Sequence, residues 1–282
     1  MATDDATADT PAGNLVTVRR TMAILEMLAD ARAGMSLSDI AKALDVNKSI
    51  ALRIVRTLAD MNYIYRHSEN RRFYAGFKIS NVGLRILSRT GLTDQCEPVL
   101  RRLAEQSGEL VLLSVMDGGA PRWVMAATGP QRRLQIEPMT GMEFHSTATG
   151  KAWLATLPDE AIAQVLKGRM RAVTPRTITS LERMMEQVRE IRASGFAFSN
   201  QENEAGIAAV ATAIRQQEHG ASVCVGFVSI TAPLARATLK DFARFRAALQ
   251  DAARVLGDCW PLAAAGNQPC QSQLIGRLAR YA

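Results

Sequence analysis

The chain has little of what disulfide-stapled, zinc-holding or membrane-spanning proteins depend on. Four cysteines occur in 282 residues. Cys96, Cys224, Cys259 and Cys270 form no CxxC pair, and no histidine stands at zinc-ligand spacing from them, so neither a disulfide framework nor a zinc site is expected and the thiols read as ordinary reduced ones. No stretch approaches the roughly eighteen uninterrupted apolar residues of a membrane helix. A soluble, cytoplasmic protein with no membrane partner is the expectation. Residues 1–16, opening MATDDATADTPAGN, lack a basic segment followed by an apolar run. They read as a loose tail rather than a secretory signal.

Catalytic constellations are missing too. TATGKA is similar to the end of a phosphate loop, but that loop needs Gly at 145 and Ser or Thr at 152, where the chain has His145 and Ala152. No G-x-S-x-G elbow is present, and His145, Lys151, Glu202 and Glu204 fall into no recognisable pattern. We therefore expect no enzyme activity, no cofactor and no metal.

What the chain does have is apolar material and a localised charge. With 48% hydrophobic residues over this length it can bury a core in each of two domains. Between residues 17 and 90, thirteen Arg and Lys stand against six Asp and Glu, an excess equal to the whole chain's net charge of +7. A basic module attached to an electrically neutral one suits nucleic-acid binding.

Within that module, Met22, Leu25, Leu28 and Ala29 recur at helical spacing from Val18, and the helix ends near Gly34. Ser36 to Asp39 has the form of a capping box, opening a short helix that buries Leu37, Ile40, Ala41 and Leu44. Asn47 or Lys48 begins a third helix, giving helix-turn-helix spacing. On a helical wheel Ser49, Arg53 and Arg56 share one face, while Ala51, Ile54, Val55 and Leu58 share the other. One face packs and the other reads. Arg53 suits bidentate contact with guanine, and Lys48 and Ser49 at the helix start suit a phosphate. Residues 63–66 and 72–75 alternate like strands around a polar turn at 67–71, where His67 reads as a turn residue. This is a wing, with Arg71 and Arg72 expected near its tip. Ser36, Leu52 and Tyr74 complete the expected DNA-binding set.

Beyond residue 90, strand-like runs occur at 110–116, 123–127, 134–136, 207–214 and 223–230, with helical patterns around Arg101, Trp153, Met185 and Phe242. Strand runs punctuated by helices favour an α+β domain.

The order and spacing of VTVRRTMAILEMLA, LSDIAKALDVNKSIALRIVRTLADMNYI and RRFYAGFKI resemble the IclR family of bacterial transcription regulators. The resemblance continues through EPVLRRLAEQS, HSTATGKAWLATL, TPRTITSL, GFAFSNQENEAGI and GFVSITAPLARATL, in order, and so covers about residues 17–258. It implies a tail at 1–16, a winged helix-turn-helix at 17–78, a linker helix within 79–94, a GAF-like α+β effector-binding domain at 95–260 and a C-terminal tail at 261–282. It also implies an effector cup lined by Ala148, Thr149, Ser199, Ala209, Ser229 and Thr231, with Trp123 and Met125 nearby. Ser199 stands where the family frequently has Asp, Ala209 where it has Cys, and Ile50 where it has Thr. The implied partners are an operator in double-stranded DNA, a small organic or aromatic acid, and further copies of the chain in a dimer or tetramer. The implied role is control of a catabolic or uptake operon, as repressor or activator. Two rivals from the residues alone are an enzyme, and a sensor acting through protein contacts with a weakened DNA head.

Overall fold

A computed structural model describes residues 15–130, 142–218 and 220–261. The expected strand at 134–136, Cys270, the first fourteen residues of the tail and the terminal LIGRLARYA lie outside the described residues. The chain divides into two compact units, residues 1–87 and 88–282.

The first unit begins with α1 (Val16–Asp30), which buries Ile24, Leu25 and Leu28. The buried stripe is turned by a residue from the expected one. Ile24 takes the core position, while Met22 stays half exposed. In α2 (Leu37–Ala43) the capping box forms as read: the Asp39 amide donates to Ser36 Oγ and the Ser36 amide to Asp39 Oδ2, both at 3.1 Å. Asn47 caps α3 (Lys48–Asp60) by accepting from the Ile50 amide at 2.9 Å, which satisfies a donor with no partner inside the helix. The buried residues of α3 are Ala51, Ile54, Val55 and Leu58, the set the wheel assigned to packing. β1 (Ile64–Arg66) and β2 (Phe73–Ala75) pair antiparallel as the wing, pinned to the core by Phe73. α4 (Phe77–Arg89) follows and buries none of its side chains.

The second unit is an antiparallel sheet covered by helices on both faces. Its elements in chain order are α5 (Leu92–Ser107), β3 (Leu110–Asp117), β4 (Ala120–Thr128), α6 (Ala148–Leu154), α7 (Asp159–Leu166), α8 (Leu181–Ser194), β5 (Phe196–Asn200), β6 (Ile207–Glu218), β7 (Ala221–Pro233) and α9 (Leu239–Asp258). The strand order is β4-β3-β7-β6-β5. Helices α6, α7 and α8 close one face through Trp153, Ile162, Met184 and Val188, packed on Ala197, Ala211 and Phe227. α5 and α9 serve the other face. There Gly257 lies so near the backbone that a Cβ would sit 2.2 Å from the Arg215 carbonyl oxygen. β5 and α7 are the two elements that the sequence pattern did not announce.

Candidate functional site

Two clusters of polar side chains stand out, one in each unit. In the first, Ser49, Arg53 and Arg56 are exposed along one face of α3, with Lys48 exposed at its start. Among the described residues, Lys48, Arg53 and Arg56 have no acidic partner. A row of unpaired cationic donors on the outer face of the second helix of a helix-turn-helix is what major-groove binding requires.

The other expected head residues divide between the surface and the scaffold. Arg71 is exposed at the wing turn with φ +56°. Arg72 is turned inward, contrary to its expected place at the tip. Its Nε and Nη2 donate to the Gly34 carbonyl at 3.2 and 2.9 Å, and Nη2 lies 3.4 Å from Asp39 Oδ2. The guanidinium thus fastens the wing to the turn before α2. Ser36 is occupied by the capping box, and its hydrogen bonds hold the Asp39 carboxyl below the usual carboxylate range, with Arg72 and Lys42 adding to the effect. Leu52 is half-buried against the head's core. Tyr74 stacks on Tyr65 with ring centroids 5.5 Å apart, and its hydroxyl accepts from Asn70 at 2.9 Å.

In the second unit the strand register builds the site. Leu112 faces Ser229 across the ladder, Thr231 faces Leu110 and Ala209, and Ala209 faces Ser199. Ladder partners project to the same side of a sheet, so these side chains share a face. The N-terminal end of α6 lies over that face. The result is a cavity lined by Ala148, Thr149, Ser199, Ala209, Ser229 and Thr231, the six residues expected from the sequence, together with Leu112, Trp123 and Glu204 among others. Its walls surround about 510 Å³ of space between atoms, open solvent included. Met125 is not in the lining. A bulge between the Ser114–Trp123 and Leu113–Met125 pairs shifts the register, and Met125 goes to the opposite face from Trp123.

Thr147 caps α6, donating to the Glu143 carbonyl at 2.8 Å and accepting from Gly150 at 3.1 Å. Gly150 is required here, since a Cβ would lie 2.4 Å from Phe144 Cα. Ser199 donates to the Ser146 carbonyl at 2.7 Å and Ser146 to Asn203 at 3.0 Å. By contrast, the hydroxyls of Thr149, Ser229 and Thr231 make no hydrogen bond with the described residues. The Trp123 indole N–H and the Ser114 hydroxyl are buried with no partner among the described residues, a condition that costs about 1–3 kcal/mol per group.

Behind the cavity Lys151 is fully buried. Its Nζ donates to Glu202 at 2.8 and 3.0 Å and to Gln187 at 2.9 Å. Burial pulls its pKa down while Glu202 pulls it back up. The lysine of TATGKA is therefore a structural cation, holding the 201–206 loop whose Asn203 and Glu204 line the cavity. His145 is equally committed, its Nε2 lying 2.9 Å from the Arg171 carbonyl. No sequence signal pointed to the Lys151–Glu202 pair, which spans 51 residues.

A cationic helix-turn-helix with a wing, joined in sequence to an α+β unit with a hydroxyl-lined cavity, defines a DNA-binding transcription regulator. The model of the bacterial transcriptional regulator IclR C-terminal domain matches residues 84–257, and that of the IclR helix-turn-helix domain matches residues 17–68. The chain belongs to the IclR family. It is 29% identical over 230 residues to the HTH-type transcriptional regulator Rv1719 of Mycobacterium tuberculosis, covering 81% of this chain and 86% of that protein. A crystal structure of an IclR transcriptional regulator from Alicyclobacillus acidocaldarius superposes with TM-score 0.76 at 22% identity, over 87% of this chain and 98% of that one. An IclR homolog from Microbacterium hydrocarbonoxydans, complexed with 4-hydroxybenzoate, superposes with TM-score 0.68 at 19% identity, over 86% and 98%. The chain is thus a regulator, not an enzyme. Among the described residues no helix is long and apolar enough to cross a membrane.

Proposed function

We propose that the cavity of the second unit binds a small organic or aromatic acid and that this binding changes the affinity of the head for its operator. One observation carries the reading: Thr149, Ser229 and Thr231 present three uncommitted hydroxyls to one cavity. Hydroxyl donors of this kind suit the oxygens of a carboxylate. The 4-hydroxybenzoate held by the Microbacterium hydrocarbonoxydans homolog supports the same ligand class.

At the DNA, Arg53 reads base edges while Lys48, Ser49 and Arg71 hold phosphates. Two or four copies assemble through the linker region and the sensor domains, which sets paired recognition helices on successive major-groove faces. The exposed Phe77, Leu84 and Ile86 of α4 support a contact between copies. The acid shifts the population of assemblies whose helix spacing fits the operator, and ligand and DNA must affect each other equally. The protein acts in the cytoplasm, on genes for uptake or breakdown of the acid or its relatives.

Fluorescence anisotropy of the purified protein on its own upstream intergenic DNA, at two salt concentrations and with a panel of organic and aromatic acids, tests this. The expected result is sequence-preferring binding that falls steeply with salt and that one acid alters. Unchanged DNA affinity with every acid at saturating concentration would remove the effector coupling. Binding without a salt slope would remove the DNA contact itself.

A further inference from the structure

We infer that Arg20 of α1 is a further DNA contact, gripping a backbone phosphate at the edge of the groove that α3 enters. The inference rests on α3 lying in the major groove and adds a hold on the duplex from a second helix. In α1 the buried residues are Ile24, Leu25 and Leu28. Steps of three and four residues carry the same face back through Arg20 and Thr21 to Thr17. In α3 the same steps from the buried Ile54 and Leu58 run through Ile50, Arg53 and Thr57. The two continuations meet: Thr17, Arg20 and Thr21 of α1 and Ile50, Arg53 and Thr57 of α3 line one cleft. Arg20 is half-buried, whereas Arg53 is exposed.

The polar groups of the cleft call for an anion. Thr21 Oγ1 donates to the Thr17 carbonyl at 2.8 Å and Thr57 Oγ1 to the Arg53 carbonyl at 3.0 Å, so both hydroxyls are committed to their own helices. No acidic side chain among the described residues lines the cleft, and the Arg20 side chain makes no hydrogen bond or ion pair with any of them. Two guanidiniums bordering one cleft without a carboxylate repel each other, and an anion beside them relieves that. Dimensions decide which anion. The major groove of B-DNA is about 12 Å wide and a helix with its side chains about 10–12 Å across, so α3 fills the groove. A side chain from a helix packed on the flank of α3 then meets the sugar-phosphate edge, not the bases. Of Ser49, Arg53 and Arg56, Arg53 alone lines the cleft, which sets it at the border between the reading face and α1. Arg20 stands one helix further out, and its forked donors match the oxygens of a phosphate in pairs.

Fluorescence anisotropy of the full chain on its upstream intergenic DNA and on a random-sequence duplex of the same length, each across a salt series, tests the contact with Arg20→Ala, Arg20→Lys and Arg53→Ala. Arg20→Ala should weaken binding to both duplexes alike, by about tenfold at low salt. It should also make the dependence of log affinity on log salt shallower by about one unit per head bound, with the thermal midpoint unchanged. Arg20→Lys keeps the charge and should restore the slope. Arg53→Ala should instead reduce the advantage of the intergenic DNA over the random duplex. A wild-type slope in Arg20→Ala overturns the phosphate contact, and a lowered midpoint beside that slope would make Arg20 part of the head's packing. A loss confined to the intergenic DNA would make Arg20 a base reader, which overturns it as well. If Arg53→Ala leaves the sequence preference untouched while Arg20→Ala flattens the slope, base reading by Arg53 falls and the phosphate contact stands. If the wild type shows no salt slope on either duplex, DNA binding by the head falls and this contact falls with it.

Discussion

The two units use polar side chains in opposite ways. The head keeps Lys48, Ser49, Arg53 and Arg56 exposed and free of acidic partners on one helix face, so its reading surface is available without rearrangement. The second unit turns Lys151, Glu202, Ser199, Ser229 and Thr231 inward, all of them buried. Some of these are fully paired and others wait for a partner. An exposed charge acts at long range and is weakened by salt, while a buried one must be matched atom by atom. The head is therefore suited to a large, uniformly charged partner, and the cavity to a small one of defined shape.

The largest effect is expected where that contrast is broken inside the second unit. Glu202→Ala leaves Lys151 buried opposite only Gln187, and should destabilise the unit by about 3–5 kcal/mol, read as an earlier denaturation midpoint by circular dichroism. An unchanged midpoint would mean that the pair is not buried in solution.

A comparison of two arginines sharpens the contrast within the head. Arg53→Ala should weaken specific DNA binding by about 1–3 kcal/mol with no change in thermal midpoint, since its side chain touches solvent. Arg72→Ala should do the reverse, loosening the wing through loss of the Gly34 and Asp39 contacts and lowering the midpoint. Equal effects of the two on DNA affinity and stability would contradict the inward placement of Arg72.

The smallest effect belongs to the capping box of α2. Ser36→Ala should cost about 1 kcal/mol. The box also gives the head a weak acid sensitivity. Asp39 is held below its ordinary value of 3.8, so the folded state resists protonation; the stabilisation is complete above that value and fades as the pH falls through the lowered one. Denaturation midpoints measured down to pH 3 should show a shallower decline in Asp39→Asn than in the wild type.

The head was legible because its chemistry is local. The four- and three-residue spacings of Ser49, Arg53 and Arg56, the Ser36–Asp39 box and the wing's alternation each fit within one or two elements. The six cavity residues came from a resemblance between ordered blocks, and the strand register explains why residues as distant as Ser199 and Thr231 meet. What escaped the sequence depends on contacts between distant segments or on one irregular residue. Arg72 was misplaced because its partner, the Gly34 carbonyl, belongs to the backbone 38 residues away. Met125 was misplaced because a bulge reverses the alternation. The Lys151–Glu202 pair leaves no periodic trace, and β5 is too short to stand out beside the polar turn that follows it.

The bareness of α4 has a thermodynamic consequence. It is a thirteen-residue helix with no buried side chain and with Gly83 inside it. In water a helix of about this length is marginal on its own, and an interior glycine weakens it further. Ile79 packs on the head's core and Lys78 donates to the Met61 carbonyl, so the start of the helix is anchored, and what covers the exposed Leu84 and Ile86 bears on the stability of the rest. If copies meet over Leu84 and Ile86, backbone amide exchange between Ser80 and Leu87 should slow as protein concentration rises, and the stretch that joins the reading head to the cavity unit then reports on their gathering.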